Sequence, residues 1–460
     1  MKAAGIRADA DSLHRLVKHV IDSGGAESVE AAEEMFLGYR LGIEIGPEVA
    51  GRPADQAALL TAVAVGRRVF LGGVSVSGCL TAPLAVPLAL GETLEDAVVA
   101  LGGEAAKGAD RGIPTVIIGG AMGSREAGFC VRTAAAGWRG GVLPNHSEVE
   151  VSGTETMPLA GMLAGALAVN EAYLYVSGST WAGRRVLGMS LWDPHSTCDW
   201  LVEEPDAPKL EYLPSSLWLI GLGHLGQAYL WGLGLLPYKE PGELSLVLQD
   251  VDVVTESTES TSVLTDESML GRKKTRVMAE WAELRGFTTS IHERLFDGHF
   301  RRQESDEPAV ALCGVDNADA RRALDQVGFD LVIEAGLGRG HHDFRTIRLH
   351  TLPGSKPASE IWKGSLSNDD SLEGRAAYRG LLDEGILDQC GVTLLAGKAV
   401  GAPFVGAVAA TLVLAELLRV LHCGGVHQVI DLDLMSLEHR IASGNPRDFG
   451  EWNPGFCYVD

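Results

Sequence analysis

The sequence predicts an α/β protein built from two doubly wound lobes, and three observations predict it. A short apolar run, SLWLI (216–220), leads into GLGHLG (221–226) and then an apolar helical pattern from Gln227 to Leu236. That succession is the strand, glycine turn and helix of a parallel sheet. Further apolar runs then alternate with helical stretches, as crossover connections require. The first half echoes the plan, with RRVFLGGVSVSG (67–78) reading as strand, glycine turn and helix.

Taken in order, the first lobe covers residues 1–209. GYRLGIEIG (38–46) is followed by a glycine-interrupted helix and then a strand at 67–71. GIPTVIIGG (112–120) is another strand, and MPLAGMLAGALAVNEAYLYVSG (157–178) is a long helix of small residues. The polar WLVEEPDAPKLEYLP (200–214), with two prolines, reads as the linker. In the second lobe, residues 210–460, strands are expected at 216–220, LSLVLQD (244–250), AVALCGV (309–315) and DLVIEAG (330–336). DNADARRALDQVG is helical between the last two. A polar crossover follows at about 355–395, then a buried helix, APFVGAVAATLVLAELLRVL (402–421), and a late strand, QVIDLDL (428–434). The two long helices share texture and length, which suggests an internal duplication. Two unrelated α/β domains are the alternative.

At 460 residues, 46% hydrophobic and 22% charged, the chain can bury a large core. The formal charge of −23 repels nucleic acid and acidic membranes, so neither is expected as a partner. Any nucleotide must be held locally, by backbone N–H groups and a few placed cations. The seven cysteines are odd in number and show no paired ligand spacing, so neither a disulfide framework nor a zinc ribbon is suggested. The charged start lacks an apolar signal core, and a reducing cytoplasm fits best. Val69 to Gly91 carries no charge, but its glycines and prolines make it a poor spanning helix; it reads as a buried strand, a turn and an apolar helix.

GLGHLG fits the G-x-G-x-x-G turn of a Rossmann-like lobe. Gly221 permits the turn, Gly223 lets N–H groups approach phosphates, and Gly226 lets the helix pack on the strand. The helix N-terminus adds partial positive charge for an anion. Asp250, at the tip of the second strand, is placed for ribose hydroxyls. Alone, this turn says only that a nucleotide binds, and an NAD dehydrogenase is the first reading.

The segment after Asp250, D-V-D-V-V-T-E-S-T-E-S-T-S-V-L-T-D-E-S-M-L-G-R-K-K, shifts that reading. It resembles the ThiF/MoeB/ubiquitin-activating (E1-like) superfamily, whose pattern is D-x-D-x-V-x-x-S-N-L-x-R-Q followed by a glycine and a lysine. Asp250, Asp252, Val254, Ser257, Leu264, Gly271 and Lys274 fall on matching positions without a gap, and the family's D-N-x-x-x-R falls at Asp316, Asn317 and Arg321. The resemblance implies a ThiF-type, ATP-binding second lobe and a degenerate first lobe. It further implies that Asp250 holds the ribose, Lys274 contacts the phosphates and Asp316 holds Mg²⁺. Thr258 replaces the family's asparagine, and Thr261-Ser262 replaces its arginine and glutamine. Relatives supply an arginine from an N-terminal helix, for which Arg40 is the candidate here, with Arg272 or Lys273 as substitutes. Cys390, just before a buried helix, resembles a crossover cysteine that takes the modifier as a thioester; a buried inert thiol is the other reading.

The implied reaction is adenylation of a ubiquitin-like C-terminus by ATP, with a ubiquitin-like or small carrier protein and an E2-like carrier enzyme as partners and a homodimer also open. Similar compact enzymes occur in bacterial conjugation operons, some with antiphage roles. A peptide or sulfur-carrier adenylating enzyme without a thioester step, and a pseudoenzyme that binds nucleotide or a partner, are the rival readings.

Overall fold

The computed structural model describes residues 9–108, 112–120, 128–153, 157–303, 307–363, 372–450 and 452–459. In the first lobe, among these residues, the strands are β1 (Leu41–Ile45), β2 (Val74–Gly78), β3 (Glu104–Ala106), β4 (Thr115–Ile118), β5 (Cys130–Ala136), β6 (Arg139–Pro144) and β7 (Leu187–Ser190). They form one sheet in the order β3-β2-β1-β4-β5-β6-β7. It is parallel from β3 to β5 and antiparallel from there to β7.

The second lobe opens with β8 (Tyr212–Pro214) and continues with β9 (Ser216–Ile220), β10 (Ser245–Gln249), β11 (Thr288–His292), β12 (Val310–Cys313) and β13 (Leu331–Leu337). β14 (Thr346–Leu352), β15 (His427–Asp433), β16 (Ile441–Gly444) and β17 (Phe456–Tyr458) complete it. Its main sheet runs β11-β10-β9-β12-β13-β14-β15-β16, and β17 pairs with β8 apart from it. Counted within each lobe, the first seven strands of the two main sheets follow the same order. A long helix also lies between the sixth and seventh strands of both, Pro158–Val176 and Pro403–Leu421. This shared topology supports the duplication suggested by the two helices.

The lobes meet through helices. Pro53–Gly66 packs on Pro158–Val176, which packs on Pro403–Leu421, which packs on His224–Leu235. Small residues set this spacing: a Cβ on Gly161 or Gly165 would lie 1.8 or 2.3 Å from the carbonyl oxygens of Ala54 and Ala58. The Trp231 indole crosses the interface and donates to Thr61 Oγ1 at 3.0 Å. One hydrophobic cluster therefore runs through both lobes. Among the described residues, the two helices long and apolar enough to span a bilayer are 89% and 94% buried, so their apolarity is accounted for by the core.

Several elements differ from the sequence reading. The helix after β1 runs on to Gly66, and the strand expected at 67–71 instead forms at Val74–Gly78. Arg67 and Arg68 turn away from the sheet to bond the second lobe. No helix forms at 79–91, where Pro83 and Pro87 remove two backbone donors. The helix after Asn317 is only Ala318–Arg322. The expected linker is tied down: Trp200 is buried, and the Pro208 carbonyl accepts the Trp138 indole N–H at 2.7 Å. Within the crossover, helices form at Ala358–Ile361, Ala376–Asp383 and Gln389–Ala396, while 364–371 lie outside the described residues.

Candidate active site

The carboxyl ends of β9, β10 and β12 lie side by side, with Ile220 registered on Gln249 and on Cys313. Gly221 leaves β9 at φ +83, a conformation that favours glycine, and its N–H donates to the Gln249 carbonyl at 2.9 Å. A Cβ on Gly226 would sit 2.0 Å from the Gly221 oxygen, so the helix packs against the turn itself. Gly223 faces open space and begins the helix His224–Leu235, which no side chain caps among the described residues. The N–H groups of that first turn are left for an anion.

Asp250 organises this turn. Its Oδ2 accepts from the Leu222 N–H at 2.7 Å and its Oδ1 from the Asp252 N–H at 2.8 Å. A carboxylate has about four acceptor positions, so capacity remains for ribose hydroxyls. Lys274 starts the helix Lys274–Leu284; its N–H donates to the Asp252 carbonyl, and its Nζ lies 3.1 Å from Asp252 Oδ2. On the other flank, the Gly314 N–H donates to the Ile220 carbonyl at 2.8 Å, and Val315 lies against Gly221. Asp316 follows, exposed. Asn317 caps the next helix by accepting from the Asp319 and Ala320 N–H groups. Arg321 fixes this turn, donating to the carbonyls of Val315 and Ala335 and lying 3.5 Å from the buried Glu334. Asp250 with Lys274, and Asp316, thus flank one glycine turn from opposite sides.

The arginine entering this space is Arg15. It opens the helix Arg15–Ser23, which is capped by His14. Its Nη2 donates to the Ala10 carbonyl at 2.8 Å and to Ser257 Oγ at 3.1 Å, and its N–H donates to Ser260 Oγ. Its Nη1 is buried and has no hydrogen-bond partner among the described residues. Burial lowers the guanidinium pKa, and Asp11, Tyr378 and Asp316 push it back up, so Asp316 lies within electrostatic reach. Thr261, the position of the missing family arginine, is buried beside it: a Cβ on Gly401 would lie 3.0 Å from Thr261 Cγ2 and 3.8 Å from Arg15 Cβ. A short threonine leaves room for an arginine arriving from the other lobe. Arg40 instead sits exposed just before β1, with its Cγ against Gly72. Arg272 pairs with Glu280, and Lys273 donates to the Val251 carbonyl. The sequence reading passed over Arg15; its signal was an arginine at the start of an N-terminal amphipathic helix.

Cys390 is an exposed free thiol at the second position of Gln389–Ala396, whose cap Asp388 accepts from the Gly391 N–H at 2.7 Å. The equivalent turn of the first lobe is closed. A Cβ on Gly46, just past β1, would fall 1.8 Å from the Gly119 oxygen. The first turn of the following helix carries the buried Asp55, which pairs with Arg52 at 3.2 Å. Backbone packs closely against this turn, and a buried carboxylate in the first turn of the following helix disfavours an anion there.

Residues 40–191 match the family described as BilD N-terminal domain, and residues 213–424 match BilD C-terminal domain. A protein described as bacterial E1-like protein BilD, from Collimonas sp. (strain OK412), is 45% identical over 424 residues, covering 92% of this chain and 91% of that protein. Among solved structures, E. coli MccB with MccA-N7isoASN aligns at TM-score 0.32 and 12% identity, over 50% of this chain and 65% of that one. E. coli TcdA, a tRNA N6-threonylcarbamoyladenosine dehydratase, in complex with AMP, aligns at 0.29 and 14%, over 45% and 86%. Neither structural likeness is close enough to bear on the site.

Proposed function

The chain belongs to the BilD family of bacterial E1-like proteins, and on that premise we propose that it adenylates the C-terminal carboxylate of a ubiquitin-like protein with ATP. The observation that carries this reading is the meeting of the open glycine turn, Asp250, Lys274 and Asp316 with a largely buried guanidinium from the other lobe whose Nη1 has no partner among the described residues. Adenylation brings two anions together, so cations must already stand where charge accumulates. Lys274 and Arg15 serve the phosphates, and Asp250 holds the ribose.

Magnesium fits the same site. Asp316 is an exposed carboxylate near Arg15, and among the described residues no group of three metal-ligating side chains occurs. Such a site suits an ion that arrives with the triphosphate and takes one protein carboxylate, neutralising phosphate charge when bound. The modifier's carboxylate oxygen attacks the α-phosphorus, the bond to the β-phosphate oxygen breaks, and pyrophosphate leaves with the electron pair. The Cys390 thiol gives its proton to water, the thiolate attacks the acyl carbon, the bond from that carbon to the AMP oxygen breaks, and AMP leaves with the electron pair. The thioester is the form an E2-like carrier would accept. Arg15 comes from the same chain, so this chemistry needs no second copy.

The test is pyrophosphate exchange with ubiquitin-fold proteins encoded beside the chain. Wild type is expected to exchange with one of them, Asp316→Ala to lose exchange, and Cys390→Ser to keep exchange but form no thioester. Exchange in Asp316→Ala at the wild-type rate would sink the assignment of the site.

A further inference from the structure

A buried ionic network lies one turn beyond Arg15 on the same helix. Lys18 is wholly buried, and its Nζ lies 2.5 Å from Asp22 Oδ2 and donates to the Ala396 carbonyl at 3.2 Å. The Tyr378 hydroxyl donates to Asp22 Oδ1 at 2.6 Å, and Lys18 lies over its ring at 5.8 Å. Removing a lysine and an aspartate from water is costly, and an apolar pair of similar size is often as stable, so such a network suggests a need for specific geometry.

Its contacts show which elements are held in register. Lys18 and Asp22 sit on Arg15–Ser23, Tyr378 sits on Ala376–Asp383, and Ala396 is the last residue of Gln389–Ala396, which carries Cys390. The network therefore ties both of these crossover helices to the helix that presents Arg15. Arg15 itself donates its hydrogen bonds to Ala10, Ser257 and Ser260, and Tyr378 acts on its guanidinium only through space. Loss of the network would leave the arginine held while loosening the thiol.

We propose that Lys18, Asp22 and Tyr378 form a positioning clamp that registers the Cys390 helix to the Arg15 helix, so that transfer of the acyl group depends on it and activation does not. The proposal rests on the adenylation and thioester reading above. None of the three residues touches the reacting atoms; they act through the helix they hold.

The experiment compares full-length wild type with Tyr378→Phe, which removes one hydroxyl and keeps the ring. A second chain, Lys18→Met/Asp22→Leu, removes both buried charges together, so that neither charge is left unpaired, although the Tyr378 hydroxyl and the Ala396 carbonyl lose their partners. Amide hydrogen exchange is expected to quicken at Gln389–Ala396 and stay unchanged at 256–265. With the ubiquitin-fold protein that supports exchange in wild type, pyrophosphate exchange should stay within about twofold while single-turnover thioester formation falls about tenfold or more, as slight misplacement of a reacting group commonly costs. Equal falls in both rates, or an unchanged or raised ratio of transfer to exchange, would overturn the clamp. If wild type exchanges with no modifier, the adenylation reading fails on its own. Amide exchange then still decides the clamp, which unchanged protection at Gln389–Ala396 would refute.

Discussion

Arg15 and Arg321 both carry partly buried guanidiniums, yet their surroundings assign them different work. Arg321 spends its donors on the Val315 and Ala335 carbonyls and faces Glu334, which also bonds His350 Nδ1 at 2.5 Å. Arg321→Ala would leave Glu334 buried without its cation and should cost about 3 kcal/mol of stability, measurable by denaturant unfolding. Among the described residues, Arg15 keeps an Nη1 unspent. Arg15→Ala should lower pyrophosphate exchange by about 10²–10³ with the fold retained, since one preorganised donor is lost. Arg15→Lys should not restore it, because the three donors of an ammonium share one nitrogen and cannot bond Ala10 and Ser257 at the Nη2 position while also standing at the Nη1 position. Full exchange in Arg15→Lys would return the role to another cation.

The helix carrying Arg15 has an unusual cap. His14 Nδ1 accepts from the Leu16 and Val17 N–H groups at 3.2 and 3.4 Å, which only an unprotonated nitrogen can do. Burial lowers the His14 pKa from 6.5 to about 4. Burial holds His19 and His224 at about 4 as well. Between pH 6.5 and 4 the folded chain thus binds fewer protons than the unfolded one, and stability falls as pH drops through that window. Each histidine contributes on the order of 3 kcal/mol at most across it. Melting temperatures from pH 7.5 to 4.5 should show this fall, and His14→Asn, a good cap without a proton to gain, should flatten part of it. An equal slope in both chains would mean that His14 does not titrate in this range.

For the molecule as a whole, the shared strand order makes two potential nucleotide sites, and the Gly46–Gly119 contact with Asp55 closes one. Calorimetry should therefore count one ATP per chain, and Asp250→Ala should abolish that binding; two sites per chain would contradict the closure. The first lobe is still needed. Arg68 donates to the Glu259 and Thr265 carbonyls, and Arg67 bonds the same segment. Residues 210–460 expressed alone should lack pyrophosphate exchange, having lost Arg15 and exposed the helix face that packs on Pro158–Val176.

The strand–turn–helix at 216–236 and the spacing from Asp250 to Asp316 were legible because they are local: alternation, turn chemistry and a colinear motif need only neighbours in the chain. The 67–78 segment was misread for the converse reason. Its arginines are drawn to carbonyls nearly two hundred positions away, and a period read along the chain cannot see that pull. The amino-acid order by itself determined the sheet plan, the glycine turn and the acids and lysine around it. Tertiary structure alone decided that Arg15 rather than Arg40 lies beside Thr261, that Gly46 packs on Gly119 next to the buried Asp55, and that the helix carrying Cys390 is tied to Arg15–Ser23 through the bond from Lys18 to the Ala396 carbonyl. Each of those depends on helices packing across lobes, where burial and long-range hydrogen bonds outweigh local preference.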